Sequence, residues 1–341
     1  MRLYGRKAIP LLSALILLLL AMVVLSLNMG RYPISPGQVL HMLAPGIGKD
    51  WGLPGTDEQM KAIFFQVRLP RIFLACLVGC CLSAAGAAYQ GIFHNPMAAP
   101  DVLGASAGAA FGAALAILLE GSKRDITASA FLFSLAAVGL VLFIGRRGKG
   151  RQILTLILSG IMIGSLFSAC TSFVKLAADP NDQLPAITYW LMGSLAGAQP
   201  ADVRFILIPM ALGMIPLYLL RWRINVLTLG EEEARAMGVH TGAIRMAVIF
   251  SATLITASSV AVSGMIGWVG LVIPHLARKL AGPNYSRLLP ASMLTGAIFL
   301  LTVDNVSRNV WVSEIPIGIL TAFIGAPFFL GLILKNGGSS G

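Results

Sequence analysis

Three patterns in the sequence contain residue types that could carry out covalent or metal chemistry. The segment Gly104–Gly108 has the Gly-x-Ser-x-Gly spacing of a serine nucleophile elbow, but that elbow needs a strand-to-helix turn. Here the motif opens an apolar, Gly/Ala-rich segment in which small residues favour close helix packing. Cys76, Cys80 and Cys81 lie within an apolar run, where cysteine acts as a small hydrophobe. His275 and the other histidines show no paired spacing, so we expect this chain to bind no metal, haem or other cofactor.

A polar stretch between Arg68 and Gly104 carries more information. Arg68-Leu-Pro-Arg71 precedes an uncharged apolar run, which ends at the polar turn His94-Asn95-Pro96. Proline cannot donate a backbone hydrogen bond, so the helix is predicted to end at this turn. Asn95 is suited to cap the turn or to line a pathway, and the sequence leaves both open.

The elements that position these residues are membrane helices. Of the 341 residues, 57% are hydrophobic and 11% are charged, against about 25% charged in a soluble domain. The fold class is therefore an all-α polytopic membrane protein. The net charge of +11 is better explained by basic loops on the cytoplasmic side than by nucleic-acid binding, and we expect no nucleic-acid partner.

Apolar runs predict about ten spans in a single transmembrane domain covering residues 1–336, with 337–341 a flexible remnant of cloning. The first run is too long for a signal peptide, which puts both termini in the cytoplasm. The basic residues then fall in cytoplasmic loops: Arg146, Arg147, Lys149, Arg151, Arg221, Arg223, Arg278, Lys279 and Arg287. The predicted spans are 8–27, 64–93, 102–119, 126–145, 153–176, 203–220, 243–262, 265–281, 288–304 and 315–335.

The sequence lacks two features by which a transport protein could supply its own energy. The acidic residues fall in loops, including Asp101 in a cytoplasmic one, and Asp304 ends a span. An ion-coupled secondary transporter usually buries carboxylates at mid-membrane, so this class is disfavoured but stays open. The chain also lacks a Gly-x-x-x-x-Gly-Lys-Ser/Thr loop, so it has no ATPase site of its own.

A cytoplasmic segment, about 221–245, is suited to contact a partner. Glu231–Glu233 would occupy the first turn of a short helix, where acidic side chains meet the positive dipole end. Ala234 and Met237 form a small apolar face, and Gly238 is a natural C-terminal stop. Such a helix is suited to dock into a cleft of another protein, although the composition also fits a solvated loop helix.

Several blocks in one order resemble the permease subunits of type II ABC importers, the FecCD-like family. The blocks are 68–71, 90–104, Tyr189-Trp-Leu-Met-Gly193, 229–239, Gly267-Trp-Val-Gly-Leu-Val-Ile-Pro-His-Leu-Ala-Arg278, Glu314-Ile-Pro-Ile-Gly318 and Gly325-Ala-Pro-Phe328. The resemblance implies a homodimer in the cytoplasmic (inner) membrane of a bacterium or archaeon. It also implies two ABC ATPase subunits, which bind ATP and Mg, and an external substrate-binding protein. The implied cargo is a ferric chelate of the siderophore type, with cobalamin or haem as the alternative and oxyanions carried by some members.

The resemblance also implies roles for individual residues. Arg68 and Arg308 would dock the binding protein, with snorkelling to lipid headgroups or selection of phosphate or another anion as alternatives. His94, Asn95 and Pro96 would belong to the cytoplasmic gate. The residue types in Ile273-Pro-His275 further predict a helix kink at Pro274. The residues implied to couple the chain to its ATPase are Leu229, Gly230, Glu231, Glu232, Ala234, Gly238 and Val239.

Overall fold

The computed structural model describes residues 8–43, 57–147 and 152–337, and within these ranges it contains helices and no strands. A 3₁₀ turn, Pro100–Leu103, lies between the third and fourth helices. The helices are α1 (Ala8–Asn28), α2 (Pro36–Leu43), α3 (Glu58–Ile92), α4 (Ala105–Leu118), α5 (Lys123–Arg147), α6 (Gln152–Ala177), α7 (Gln183–Leu191), α8 (Pro200–Leu227), α9 (Glu231–Ala236), α10 (Thr241–Ser263), α11 (Val269–Ala281), α12 (Tyr285–Asn309) and α13 (Ile317–Gly337).

The predicted fold class is confirmed, because each of the ten predicted spans corresponds to a helix. Seven of these helices are long and apolar enough to cross a membrane: α1, α3, α5, α6, α8, α10 and α12. The helices α4 and α11 are shorter, with 14 and 13 residues. Two of the segments that connect the predicted spans contain short helices, namely α2 after the first span and α7 after the fifth.

The bundle has two ends, which we name after one residue at each. The Glu231 end carries α9, the end of α3 and the start of α12, and the Glu314 end carries the start of α3 and the end of α12. The described basic residues used to predict orientation lie toward the Glu231 end. Which side of the membrane this end faces stays a prediction. Lys149, Arg151 and the remnant 338–341 lie outside the described residues.

Helices α3 and α10 form the centre of the bundle, and most of their side chains are buried. Glycine allows backbones to approach closely at their crossings. A β-carbon at Gly79 or Gly86 of α3 would clash with the backbone of Gly296 or Gly270, respectively. Close packing by glycine, rather than by large side chains, therefore holds α3 against α12 and α11.

The chain after α3 folds back into the bundle. A β-carbon on Gly270 would lie 2.5 Å from Pro100 Cδ and 2.8 Å from the Leu82 carbonyl oxygen, so the 3₁₀ turn lies beside Leu82. Leu82 precedes the end of α3 at Ile92 by about 15 Å along the helix axis. Asp101 consequently lies near mid-depth, and its predicted position in a cytoplasmic loop is wrong. The half-length helices α4 and α11 both begin at this level.

Candidate functional site

Helix α9 has the local structure that its sequence predicts. Glu231–Glu233 occupy its first turn, and Gly238 has a φ of +75°, a left-handed conformation that costs other residues about 1–2 kcal/mol. The Val239 amide donates to the Ala234 carbonyl (3.0 Å), and the Gly238 amide donates to the Arg235 carbonyl (2.9 Å). These two bonds form a Schellman motif, so Gly238 ends the helix as expected.

The first residue of α9 is anchored to the central helix α10. The Glu231 carboxylate accepts hydrogen bonds from Thr241 Oγ1 (3.2 Å), from Arg245 Nη2 (3.3 Å) and from Arg235 Nη2 (3.0 Å). Arg245 lies on α10 and is only 3% exposed. Partial burial raises the pKa of Glu231, but Arg245, Thr241 and Arg235 together outweigh it and lower that pKa. The ionised carboxylate therefore holds α9 against the bundle.

The predicted cytoplasmic segment at about 221–245, here called the coupling segment, has both buried and exposed apolar side chains. Ala234 is fully buried and Val239 nearly so, whereas Leu229 is 64% exposed and Met237 is 49% exposed. Glu232 is exposed as well. We call Leu229, Glu232 and Met237 the exposed tip. This tip is available to a partner, and the docking role of the segment stays a prediction.

The polar turn after α3, His94–Pro96, contacts the chain that leads into α9. His94 has a φ of +50°, which is uncommon for a residue other than glycine. Its Nε2 atom lies 2.6 Å from the carbonyl oxygen of Leu227, the last residue of α8. The Oδ1 atom of Asn95 accepts a hydrogen bond from the Met97 amide at 2.9 Å. Asn95 therefore stabilises the turn itself, and His94 joins the turn to the coupling segment.

Sequence reasoning missed the hydrogen bonds of two further polar residues, Gln90 and Asn225, at the Glu231 end. Gln90 on α3 donates to the Leu271 carbonyl (3.3 Å) and accepts from Arg278 Nη2 (3.0 Å), both on α11. Asn225 on α8 accepts from the Tyr285 amide (2.9 Å) at the start of α12. Uncharged amide side chains in apolar segments hydrogen-bond across helices, and this was the available signal. Together with His94, these contacts link the end of α8 to α3, α11 and α12.

Pro274 lies inside α11, as the sequence predicts, and is buried. Proline cannot bond to the carbonyl four residues earlier, which belongs to Gly270. That carbonyl lies against Gly86 of α3, where a β-carbon would clash with it. The proline therefore frees a carbonyl at the tightest crossing between α11 and α3. The kink itself stays a prediction.

The two arginines predicted to dock a binding protein are buried at the Glu314 end. Arg68 is 4% exposed and donates to the carbonyls of Leu27 (2.7 Å) and Tyr32 (2.8 Å). Arg308 is 7% exposed and donates to Ser26 Oγ (2.8 Å). Both side chains hold α1 and the chain after it against the bundle. Neither guanidinium is presented at the surface in this structure, and the docking role stays a prediction.

Arg71 forms the centre of a buried ion network. Its Nε atom lies 2.8 Å from Asp304 Oδ1, and its Nη2 atom lies 2.8 Å from Glu314 Oε2. The Asp304 side chain is fully buried and also pairs with Arg308 Nε at 3.1 Å. The network ties α3, α12 and the segment before α13 together. The sequence placed Asp304 at the end of a span but gave no sign of these partners.

A cavity of about 370 Å³ lies between the 3₁₀ turn and the start of α13. Its lining includes Asp101, Ser106, Met192, Met265 and Phe323, and Asp101 is the one ionisable side chain among the described residues that line it. The Ser106 hydroxyl donates a hydrogen bond to the Asp101 carboxylate. Ser106 is thus occupied in a polar contact at the start of α4.

The other sequence motifs add no reactive centre within the described ranges. No group of three or more His, Cys, Asp or Glu side chains that could hold a metal occurs there. The cysteines on α3 are free, and Cys81 is fully buried. A β-carbon at Gly108 or Gly112 of α4 would lie 2.5 Å from a backbone carbonyl of α5. Gly108 and Gly112 therefore serve close packing, as the sequence predicts, whereas Gly104 has a φ of +77° at the start of α4.

Comparisons with known proteins match nearly the whole length of this chain. The chain is 43% identical to the molybdate import system permease protein of Haemophilus influenzae, over 96% of each chain. It is 40% identical to the Fe(3+)-citrate import system permease protein of Bacillus subtilis, over 95% of each chain. Among solved structures, it resembles a metal-chelate type ABC transporter in an inward-facing conformation, at 42% identity and a TM-score of 0.85, covering 95% of this chain and 98% of that one. The model of the FecCD transport family matches residues 18–335. The chain is therefore a member of the FecCD transport family, whose members are ABC importer permeases.

Proposed function

We propose that this permease works as a homodimer with two ABC ATPase subunits and an external substrate-binding protein. The ATPases would bind ATP and Mg at the Glu231 end, and the chain itself would hold no cofactor. One observation supports this most strongly. Helix α9 displays an exposed tip while Glu231 fixes the same helix to buried Arg245 on α10. A force on the tip would therefore reach the centre of the bundle.

The His94 contact offers a second route from the tip to the gate. Because His94 bonds to the Leu227 carbonyl at 2.6 Å, movement of the coupling segment would displace the turn that ends α3. In this proposal, ATP-driven closure of the ATPases shifts α9, which moves the turn His94–Pro96 and so opens or closes the gate. The binding protein would engage the Glu314 end, where Arg68 and Arg308 support the surface from beneath.

The proposed cargo is a ferric chelate of the siderophore type, with cobalamin or haem as the alternative. Relatives differ in the cargo that their names state, since one is a molybdate permease and another a Fe(3+)-citrate permease. An oxyanion is therefore a second candidate, favoured by the 43% identity to the molybdate relative. An ion-coupled secondary transporter is less well supported, because the chain belongs to a family of ABC importer permeases. Asp304, which is buried among the membrane helices, is paired with Arg71 and Arg308. Asp101, near mid-depth, accepts a hydrogen bond from Ser106.

Co-isolation from native membranes tests the partner assignment. The exposed tip would be altered by Leu229→Asp with Met237→Asp, and Leu119→Asp would serve as control, because Leu119 is 72% exposed at the opposite end. We expect an ATPase subunit to co-purify with the wild type and the control. Recovery from the tip variant should fall at least roughly tenfold, as for the loss of about 1.4 kcal/mol or more of binding free energy. Equal recovery from all three would argue against docking at α9.

A further inference from the structure

Asp101 is the one ionisable side chain among the described residues that line the cavity, and this cavity opens at the chain surface. The rim residue Phe323 is 75% exposed, so the cavity is open on the side of α13. Asp101 is itself exposed, although it lies near mid-depth beside Leu82. Methionine and aliphatic side chains form most of the remaining wall. Among the described lining residues, the Asp101 carboxylate is therefore the one group that can bring a charge into this space.

The backbone near Asp101 explains why a negative group at this position matters. Helix α4 begins at Ala105, and the start of a helix attracts anions through its free amides and its dipole. Asp101 already places a negative group at this position, where the Ser106 hydroxyl donates to it. The carboxylate compensates the dipole, so the start of α4 is not left as a site for an incoming anion.

We propose that Asp101 sets the charge selectivity of the translocation pathway. It admits a ferric chelate whose ligands neutralise the metal charge, and it hinders tetrahedral oxyanions such as molybdate. Three hydroxamate groups carry three negative charges and cancel those of Fe³⁺, so a tris-hydroxamate chelate passes a carboxylate without repulsion. Molybdate carries two negative charges and is repelled. This inference deepens the proposed function and rests on it, and it adds that the cavity beside the 3₁₀ turn belongs to the pathway of the importer.

The charge of the cavity can be measured without any transport partner. In a background with Cys76, Cys80, Cys81 and Cys170 changed to alanine, Ala322→Cys places one thiol in the cavity lining. The probes are two methanethiosulfonates of similar size, one carrying a trimethylammonium cation and the other a sulfonate anion. The measured quantity is the ratio of their reaction rates, cation over anion, in the purified chain.

The matched variants separate the charge of the carboxylate from its hydrogen bond with Ser106. Asp101→Asn keeps the size and an oxygen that can accept this bond, and Asp101→Glu keeps the charge. We expect the cation-to-anion rate ratio to fall about tenfold in Asp101→Asn, as for removal of one unit charge several ångströms away in a partly hydrated site. Asp101→Glu should keep most of the ratio. If Asp101 served only to accept the hydrogen bond from Ser106, the ratio would be unchanged in every variant.

Two results would overturn the proposal. One is an equal rate ratio with and without the carboxylate, and the other is a thiol at 322 that neither reagent reaches in folded protein. Both leave the importer assignment intact, because neither needs an ATPase or a binding protein. In the assembled importer, Asp101→Asn should increase inhibition of ferric tris-hydroxamate uptake by molybdate several-fold. Unchanged inhibition would count against the selectivity role specifically.

Discussion

Removal of the buried Asp304 charge should destabilise the protein more than any other single change in the Glu314-end network. The Asp304 side chain is fully buried between Arg71 and Arg308, with N–O distances of 2.8 and 3.1 Å. Asp304→Asn keeps the shape but leaves two buried guanidinium groups without their shared carboxylate. Breaking a buried pair in this way costs about 3–5 kcal/mol. For 341 residues, this corresponds to a fall in melting temperature of about 4–7 °C.

Two matched variants test whether the loss of stability depends on the burial of the carboxylate that is removed. The Glu314 side chain is 26% exposed, so solvent screens part of its pairing, and Glu314→Gln should lower the melting temperature by about half as much or less. Glu58 pairs with Lys61 on the surface at 90% side-chain exposure, and Glu58→Gln should leave the melting temperature unchanged. Fluorescence-detected size-exclusion chromatography after heating in detergent measures all three.

A double variant tests whether the orphaned charge causes the loss. Arg308→Met in the Asp304→Asn background removes one of the two uncompensated cations, so its cost should be smaller than the sum of the single effects. Equal melting temperatures for Asp304→Asn and Glu58→Gln would refute the reasoning. Simple additivity in the double variant would refute the assignment of the cost to the charge left behind.

Other regions give three further predictions. The pKa of Glu231 is lowered in the folded chain. In thermal melts, the extra stability of the wild type over Glu231→Gln should therefore be full above the ordinary glutamate pKa of about 4.3 and should vanish as the pH falls through the lowered pKa. Gly238→Val should reduce the coupling of ATP hydrolysis to uptake, measured as cargo moved per ATP, whereas Gly238→Asn should retain most of it because asparagine tolerates positive φ. Gly86→Val should lower the yield of folded protein, because the new side chain clashes with Gly270 and reduces the free energy of unfolding by about 1–3 kcal/mol or more. Gly139→Val on α5 should leave the yield unchanged, since a β-carbon there meets nothing within 4 Å.

Features that depend on local sequence could be predicted well. Apolar runs of membrane length gave the helices, and the first predicted span, 8–27, differs by one residue from α1. Helix α9 was also predictable, since acidic residues in a first turn and a glycine at a left-handed stop are local signals. These signals require no knowledge of the packing of distant segments.

Features that depend on tertiary packing could not be predicted. Arg71 and Asp304 are 233 residues apart in the chain, and no local pattern pairs them. The return of Asp101 to mid-depth depends on a contact between Pro100 and Gly270, which only the packed bundle creates. The burial of Arg68 likewise depends on carbonyl groups of the chain after α1, which no local pattern brings to it.

Uptake by the reconstituted complex tests the central claim most directly. Proteoliposomes would contain the complex isolated through this chain, with ATP inside and the co-isolated binding protein and a ⁵⁵Fe³⁺ tris-hydroxamate outside. We predict accumulation of the label that requires ATP, stops with vanadate and persists when ionophores collapse the ion gradients. Gradient-driven uptake by the chain alone, without ATP or an ATPase subunit, would contradict the account.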